Sequence, residues 1–144
     1  MTLYLIAGIP GSGKTTLAHR LAEEHGATVH SYDDLPGANS KESMDGSVKR
    51  AWMEGIRADL NAGRSVIGDG LNLTVKERTE LLSFVAGVPC EKVLCMKIVP
   101  PEICLQRNRE RAARLPDFVV TQSAERFEAP DVEEGWDKVL VYMD

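Results

Sequence analysis

Along the chain, short apolar runs of strand type alternate with stretches whose apolar positions recur at helical spacing. Leu3–Ala7 is apolar almost throughout, the pattern of a strand buried on both faces. Lys14–His25 reads as a helix with Gly26 as its stop, and Thr28–Ser31 as a short second strand. Ser47–Asn61 places Val48, Trp52, Ile56 and Leu60 on one helical face, with Gly63 after its end. Ser65–Gly68 is a third strand that runs out at Asp69. Thr74 and Glu77 have the spacing of a capping box, so a helix is expected from there to about Ala86. Val93–Val99 is a fourth strand. Pro101 stands at the favoured first position of a helix expected to reach about Arg114. Val119–Phe127 is expected to be helical, and Val139–Tyr142 is a last strand. Pro36–Asp45 is rich in turn formers and is expected to be a mobile loop.

Strand–helix alternation over the whole length implies an α/β fold, a parallel sheet of about five strands between two layers of helices. Residues 1–144 are expected to be one domain, since no internal repeat and no long linker divides them. In such sheets ligands bind beyond the carboxyl ends of the strands. Gly8, Asp33 and Asp69 stand at those ends.

Composition adds limits. The chain has 144 residues, 43% hydrophobic and 27% charged, which is too apolar for a disordered protein. Of 17 basic and 22 acidic residues, Glu128–Asp144 hold one and six, so the body is neutral and the net charge of −5 lies in the last segment. A generally basic, nucleic-acid-coating protein is excluded. The longest apolar run is far short of the ~20 residues of a membrane span. Cys90, Cys95 and Cys104 form no metal or disulfide pattern and are expected to be reduced thiols. A cytoplasmic protein is expected.

Gly8-Ile9-Pro10-Gly11-Ser12-Gly13-Lys14-Thr15 matches the phosphate-loop pattern G-x-x-x-x-G-K-[ST], with a buried strand before it and a helix after it. Its glycines let successive N–H groups face a phosphate, and the helix start adds its positive dipole end. The expected nucleotide-binding set is Gly8, Pro10, Gly11, Ser12, Gly13, Lys14, Thr15 and Thr16. Lys14 suits the β- and γ-phosphates, and the Thr15 hydroxyl suits Mg²⁺. No Asn-Lys-x-Asp motif for guanine is present, so ATP is the expected donor.

Asp33 and Asp34 follow the second strand, where a carboxylate can take the proton of an attacking hydroxyl; a solvated turn would read the same way. Asp69 ends the third strand and could hold a Mg²⁺-bound water or orient the acceptor. Arg107, Arg111 and Arg114, at i, i+4 and i+7, would share one face of a continuous helix. Beside a phosphate loop they suggest an arginine-rich lid over about residues 101–127, closing on the transferring phosphoryl group. Lys49, Arg50, Arg57 and Arg64, with Trp52 among them to stack a base, offer a local basic approach for a strand end; a core Trp52 with solvated basic residues would read the same way.

Together these residues resemble the small phosphate-loop kinases of the AAA_33 type, and especially the kinase domain of bacteriophage and bacterial 5′-polynucleotide kinases. The likeness runs through residues 8–16, Tyr32-Asp33-Asp34, residues 66–74, Arg107-Asn108-Arg109-Glu110-Arg111, residues 126–130 and Glu134-Gly135-Trp136-Asp137. It implies Asp33 as general base, also reaching the metal through water. It also implies Asp69 as the strand-end carboxylate, likewise reaching metal through water, and Arg107 and Arg111 as lid arginines, Arg107 also holding nucleotide. Lys14 completes the catalytic set, and Asp33, Asp69, Arg50 and Arg57 the acceptor side. Two positions depart from the pattern: Pro36 stands where those kinases usually carry Arg, and Leu71 where they often carry Thr. The implied activity is ATP·Mg²⁺-dependent phosphoryl transfer to a polynucleotide 5′-OH. A small-molecule or nucleoside kinase of the same fold is the alternative, and a phosphate-loop ATPase or nucleotide-binding module an alternative of another class.

Overall fold

The computed structural model describes residues 1–38, 46–112 and 114–143. The expected loop over Pro36–Asp45 therefore lies mostly outside the described residues. The elements in order are β1 (Thr2–Ala7), α1 (Lys14–His25), β2 (Thr28–Ser31), a 3₁₀ turn (Tyr32–Asp34), α2 (Ser47–Asn61), β3 (Val66–Asp69), α3 (Val75–Phe84), β4 (Glu91–Lys97), α4 (Pro101–Glu110), α5 (Asp117–Arg126) and β5 (Lys138–Tyr142).

All five strands are parallel, in the order β2-β3-β1-β4-β5. Alternation along β1 divides the core. Leu3, Leu5 and Ala7 pack with Trp52 and Ile56 of α2 and Leu81 of α3. Ile6 packs with Leu17, Ala18 and Leu21 of α1 on the other face. A third cluster, Ile9, Leu73, Val99, Cys104 and Val120, seats α4 and α5 against the loops at the strand ends. Gly68 in β3 lets α2 approach: an added Cβ would lie 3.1 Å from Ile56 and 3.2 Å from Trp52. The capping box forms, with Glu77 N–H donating to Thr74 Oγ1 at 3.1 Å.

Two expectations need correction. The helix opened by Pro101 ends at Glu110, not near Arg114, and Arg111 is already extended. The Asn108 side chain explains the stop. It is fully buried, donates to the Leu115 carbonyl at 2.8 Å and accepts from the Leu115 N–H at 3.1 Å. Pro116 adds to this by disfavouring helix at Leu115. Arg107, Arg111 and Arg114 thus do not share one helical face. Trp52, considered as a stacking platform, is 2% exposed, and its indole N–H donates to the His30 carbonyl at 2.9 Å.

The acidic C-terminal segment has structural partners. Glu128 accepts from the Val75 N–H and Asp137 from the Lys92 N–H. Glu134 forms a buried ion pair with Arg78 at 2.7 Å. The three cysteines are free thiols, and burial pushes that of Cys95 up to about 12. No helix among the described residues is long and apolar enough to cross a membrane.

Candidate active site

The loop between β1 and α1 turns twice through the left-handed region, at Gly11 (φ 85°) and Gly13 (φ 89°). Only glycine adopts these values without strain. Gly11 also has no room for a side chain, because a Cβ there would lie 2.5 Å from the Cys104 carbonyl oxygen. The phosphate loop therefore rests on the backbone of α4. Gly8 closes the loop from below, donating its N–H to the Leu71 carbonyl at 3.0 Å.

A cleft of about 1140 Å³ opens over this loop at the carboxyl ends of the strands. Pro10, Gly11, Gly13, Lys14, Thr15 and Thr16 form its floor. Asp33 reaches it from the 3₁₀ turn, whereas Asp34 does not line it. Arg107 and Arg111 reach it from the opposite side, one in the last turn of α4 and one in the extended segment after it. The extended turn at Arg111 brings the pair to the cleft without a common helical face. Arg109 instead pairs with Asp117 at 2.8 Å. Arg114 approaches the same carboxylate at 3.5 Å.

Two members of the expected nucleotide set, Gly8 and Ser12, do not line the cleft. Ser12 is fully buried, and its hydroxyl has no partner. Asp69 is also buried, behind the floor. Its Oδ2 accepts from the Thr15 hydroxyl at 3.1 Å and the Ser31 hydroxyl at 3.2 Å, while its Oδ1 is buried without a partner. Asp69 therefore stands next to Thr15 and does not face an acceptor directly. A buried, unpartnered carboxylate oxygen is costly unless something polar completes it.

This arrangement fits a hydrated Mg²⁺. Thr15 and Asp69 are hard oxygen donors, and Mg²⁺ typically keeps several waters and takes only one or two protein oxygens. Among the described residues no group of three or more His, Cys, Asp or Glu would hold a metal unaided.

Arg50 and Arg57 do not reach the cleft. Both lie over the Phe84 ring, Arg57 at 4.0 Å from its centroid, and Arg50 also pairs with Glu54 at 2.9 Å. Lys49 is the basic residue of α2 that does line the cleft. Glu77 and Arg126, joined by a 2.6 Å ion pair, also line the cleft with Asn72 and were not expected there. Glu77 carried a signal only as a helix cap, and Arg126 only as part of the segment 126–130.

A five-stranded parallel sheet with a phosphate loop after its central strand and arginines facing that loop defines a phosphate-loop kinase fold. The chain belongs to the AAA_33 family: the family model, described as an AAA domain, matches residues 3–130. It is 25% identical over 149 residues to the L-seryl-tRNA(Sec) kinase of Methanococcus maripaludis. That match takes in 99% of this chain but 58% of the relative, so the chain spans little more than half the relative's length. Among solved structures it resembles an unliganded sugar kinase from Janibacter sp. HTCC2649, at 21% identity and a TM-score of 0.76, covering 99% of this chain and 85% of that one. It also resembles a chain in the Pnkp1/Rnl/Hen1 RNA repair complex, at 18% identity and a TM-score of 0.76, covering 87% of this chain and 43% of that one.

Proposed function

We propose that this protein is a kinase that transfers the γ-phosphoryl group of ATP to an acceptor hydroxyl. The observation that carries the reading is the convergence of the phosphate loop, Asp33, Arg107 and Arg111 on one cleft. Lys14 and the loop N–H groups hold the triphosphate. Thr15 and, through water, Asp69 would hold Mg²⁺, which would supply charge neutralisation on the phosphates. Asp33 accepts the proton of the acceptor hydroxyl as its oxygen bonds to the γ-phosphorus. The bond from that phosphorus to the β,γ-bridging oxygen breaks, and ADP leaves with the electron pair. Arg107 and Arg111, on α4 and the segment after it, act as lid residues that stabilise charge on the transferring group. A bare ATPase needs no carboxylate at Asp33's position, which supports an acceptor.

Two acceptor classes follow from different observations. A polynucleotide 5′-OH end is supported by the resemblance in the separated motifs. A small polar alcohol is supported by the position of Arg50 and Arg57 on Phe84, outside the cleft, and by Trp52, which borders the cleft but is 2% exposed and so offers no open face for a base. Beyond the phosphate loop, Asp33 and the two lid arginines, the cleft is then lined by polar Tyr32, Lys49, Asn72, Glu77 and Arg126 beside apolar Leu71. The test is transfer of labelled γ-phosphate to a panel of 5′-OH oligonucleotides, nucleosides and small alcohols. Labelling of oligonucleotides alone supports the first class, and labelling of nucleosides or alcohols alone the second. ATP hydrolysis as fast without any acceptor as with one would overturn the kinase reading.

A further inference from the structure

Among the basic residues that line the cleft, Lys14, Arg107 and Arg111 have a triphosphate to face, and Arg126 is held by Glu77. Lys49 has neither. Its ammonium lies 5.8 Å from the centroid of the Trp52 ring, and no carboxylate among the described residues pairs with it. Nor does the charge serve its own helix. Lys49 stands in the first turn of α2, where the helix dipole disfavours a cation and no acidic residue offsets it.

The position of this charge relative to Asp33 follows from a chain of contacts. The Trp52 ring is fixed by its N–H, which donates to the His30 carbonyl at 2.9 Å. The same ring meets Tyr32 edge-on, with centroids 6.2 Å apart. Tyr32 opens the 3₁₀ turn that carries Asp33. Lys49, Tyr32 and Asp33 therefore line the cleft from one side, at the end of β2. The phosphate loop follows β1, and β3 lies between the two strands. An anion held by Lys49 thus belongs to the molecule whose hydroxyl meets Asp33, not to the triphosphate over the loop.

We propose that Lys49 selects the acceptor by holding a phosphate group on the alcohol that receives the γ-phosphoryl group. This rests on the kinase reading and narrows its acceptor. A lone ammonium gives a carboxylate no bidentate partner, whereas phosphate oxygens accept a point charge from any side. A monoester on a small alcohol and the first phosphodiester of a strand end present Lys49 with the same anion. Uncharged nucleosides and polyols leave its charge unanswered.

The test is transfer of labelled γ-phosphate by the full chain to matched acceptors: adenosine against adenosine 3′-monophosphate, and glycerol against glycerol 1-phosphate, with a short 5′-OH oligonucleotide beside them. The expected result is a KM roughly 10–100-fold lower for a phosphate-bearing acceptor than for its uncharged partner, the worth of one charged hydrogen bond. Preference for the oligonucleotide over both monoesters assigns the phosphate to a strand, and the reverse to a small alcohol. Lys49→Met keeps the stem over Trp52 and removes the charge. It should raise the KM of the preferred acceptor by a similar factor, with less change in the KM for ATP, and Lys49→Arg should recover part of the loss. Equal use of the matched alcohols, or an unchanged acceptor KM in a folded Lys49→Met, would overturn the proposal and leave the kinase reading standing. Should no alcohol be labelled, calorimetry of the two monoesters with the chain saturated in Mg·ADP decides. Binding that is lost in Lys49→Met keeps the phosphate site and removes the kinase reading, whereas no binding that depends on Lys49 overturns both.

Discussion

Arg78 and Glu134 are 56 residues apart and form an ion pair with both side chains fully buried, Nε to Oε1 2.7 Å. Every guanidinium N–H of Arg78 finds an acceptor: the two Glu134 oxygens and the carbonyls of Asn72, Leu73 and Glu128. Asn72 in turn donates to the Ile6 carbonyl at 2.7 Å and has a left-handed backbone (φ 48°). One side chain thus ties the C-terminal segment to the loop after β3, which borders the phosphate loop through the Gly8–Leu71 hydrogen bond.

Arg78→Ala should be strongly destabilising, because it strands the Glu134 carboxylate in a dry site. Removing one partner of a buried pair costs about 3–5 kcal/mol. Urea unfolding of the variant is the check. A loss below about 1 kcal/mol, the range of surface pairs, would mean that the contact is solvated.

The same pair makes stability depend on pH. Burial pushes the Glu134 carboxyl up, but Arg78, the Asp131 N–H and the Trp136 indole together hold it below its ordinary 4.5. Its stabilisation is therefore complete above pH 4.5 and is lost as pH falls through the lower value of the folded state. Urea midpoints followed from neutral into acid should fall more steeply for the parent than for Glu134→Gln, which has no proton to gain. Asp59, held low first by its hydrogen bond from His30 and then by Arg64, adds a slope of the same sign that both proteins keep.

Gly11→Ala should fail at the nucleotide. The left-handed conformation costs an alanine about 1–2 kcal/mol. The new methyl group would also meet the Cys104 carbonyl at 2.5 Å, so loop or α4 must move. Calorimetry with Mg·ATP should show lost binding, while retained affinity would mean that the loop does not need this seat.

Arg107→Ala and Arg111→Ala should each slow turnover on the order of 10²-fold, a larger effect than on ATP affinity, because groups that meet the phosphoryl oxygens on closure act on the transition state. Arg109→Ala should leave turnover near the parent value, since Arg109 is engaged with Asp117 outside the cleft. Steady-state kinetics of the three variants decides this, and equal small losses would count against the lid.

Much of the scaffold was legible because local and tertiary preferences agree. The bounds of α1, β2 and α2 coincide with those read from apolar spacing and from Gly26 and Gly63. The α4 end was not legible. Arginine-rich sequence favours helix, and what stops it is the buried amide of Asn108, a tertiary contact with Leu115. Arg78 was missed for a related reason: an arginine on an amphipathic helix reads as solvated until its acceptors are known. The floor of the cleft was legible from one contiguous motif. The Glu77–Arg126 wall was not, since 49 residues separate its partners.

In the proposed mechanism Asp33 is the base of a phosphoryl transfer to a hydroxyl. The most direct measurement is single-turnover transfer from labelled ATP to whichever acceptor the panel identifies, for Asp33→Asn and Asp34→Asn, with ATP affinity measured alongside. Asp33→Asn should lose roughly 10²–10⁴-fold in transfer with ATP binding intact, and Asp34→Asn should stay close to the parent, because Asp33 lines the cleft and Asp34 does not. Full transfer by Asp33→Asn, or a loss confined to Asp34→Asn, would contradict it.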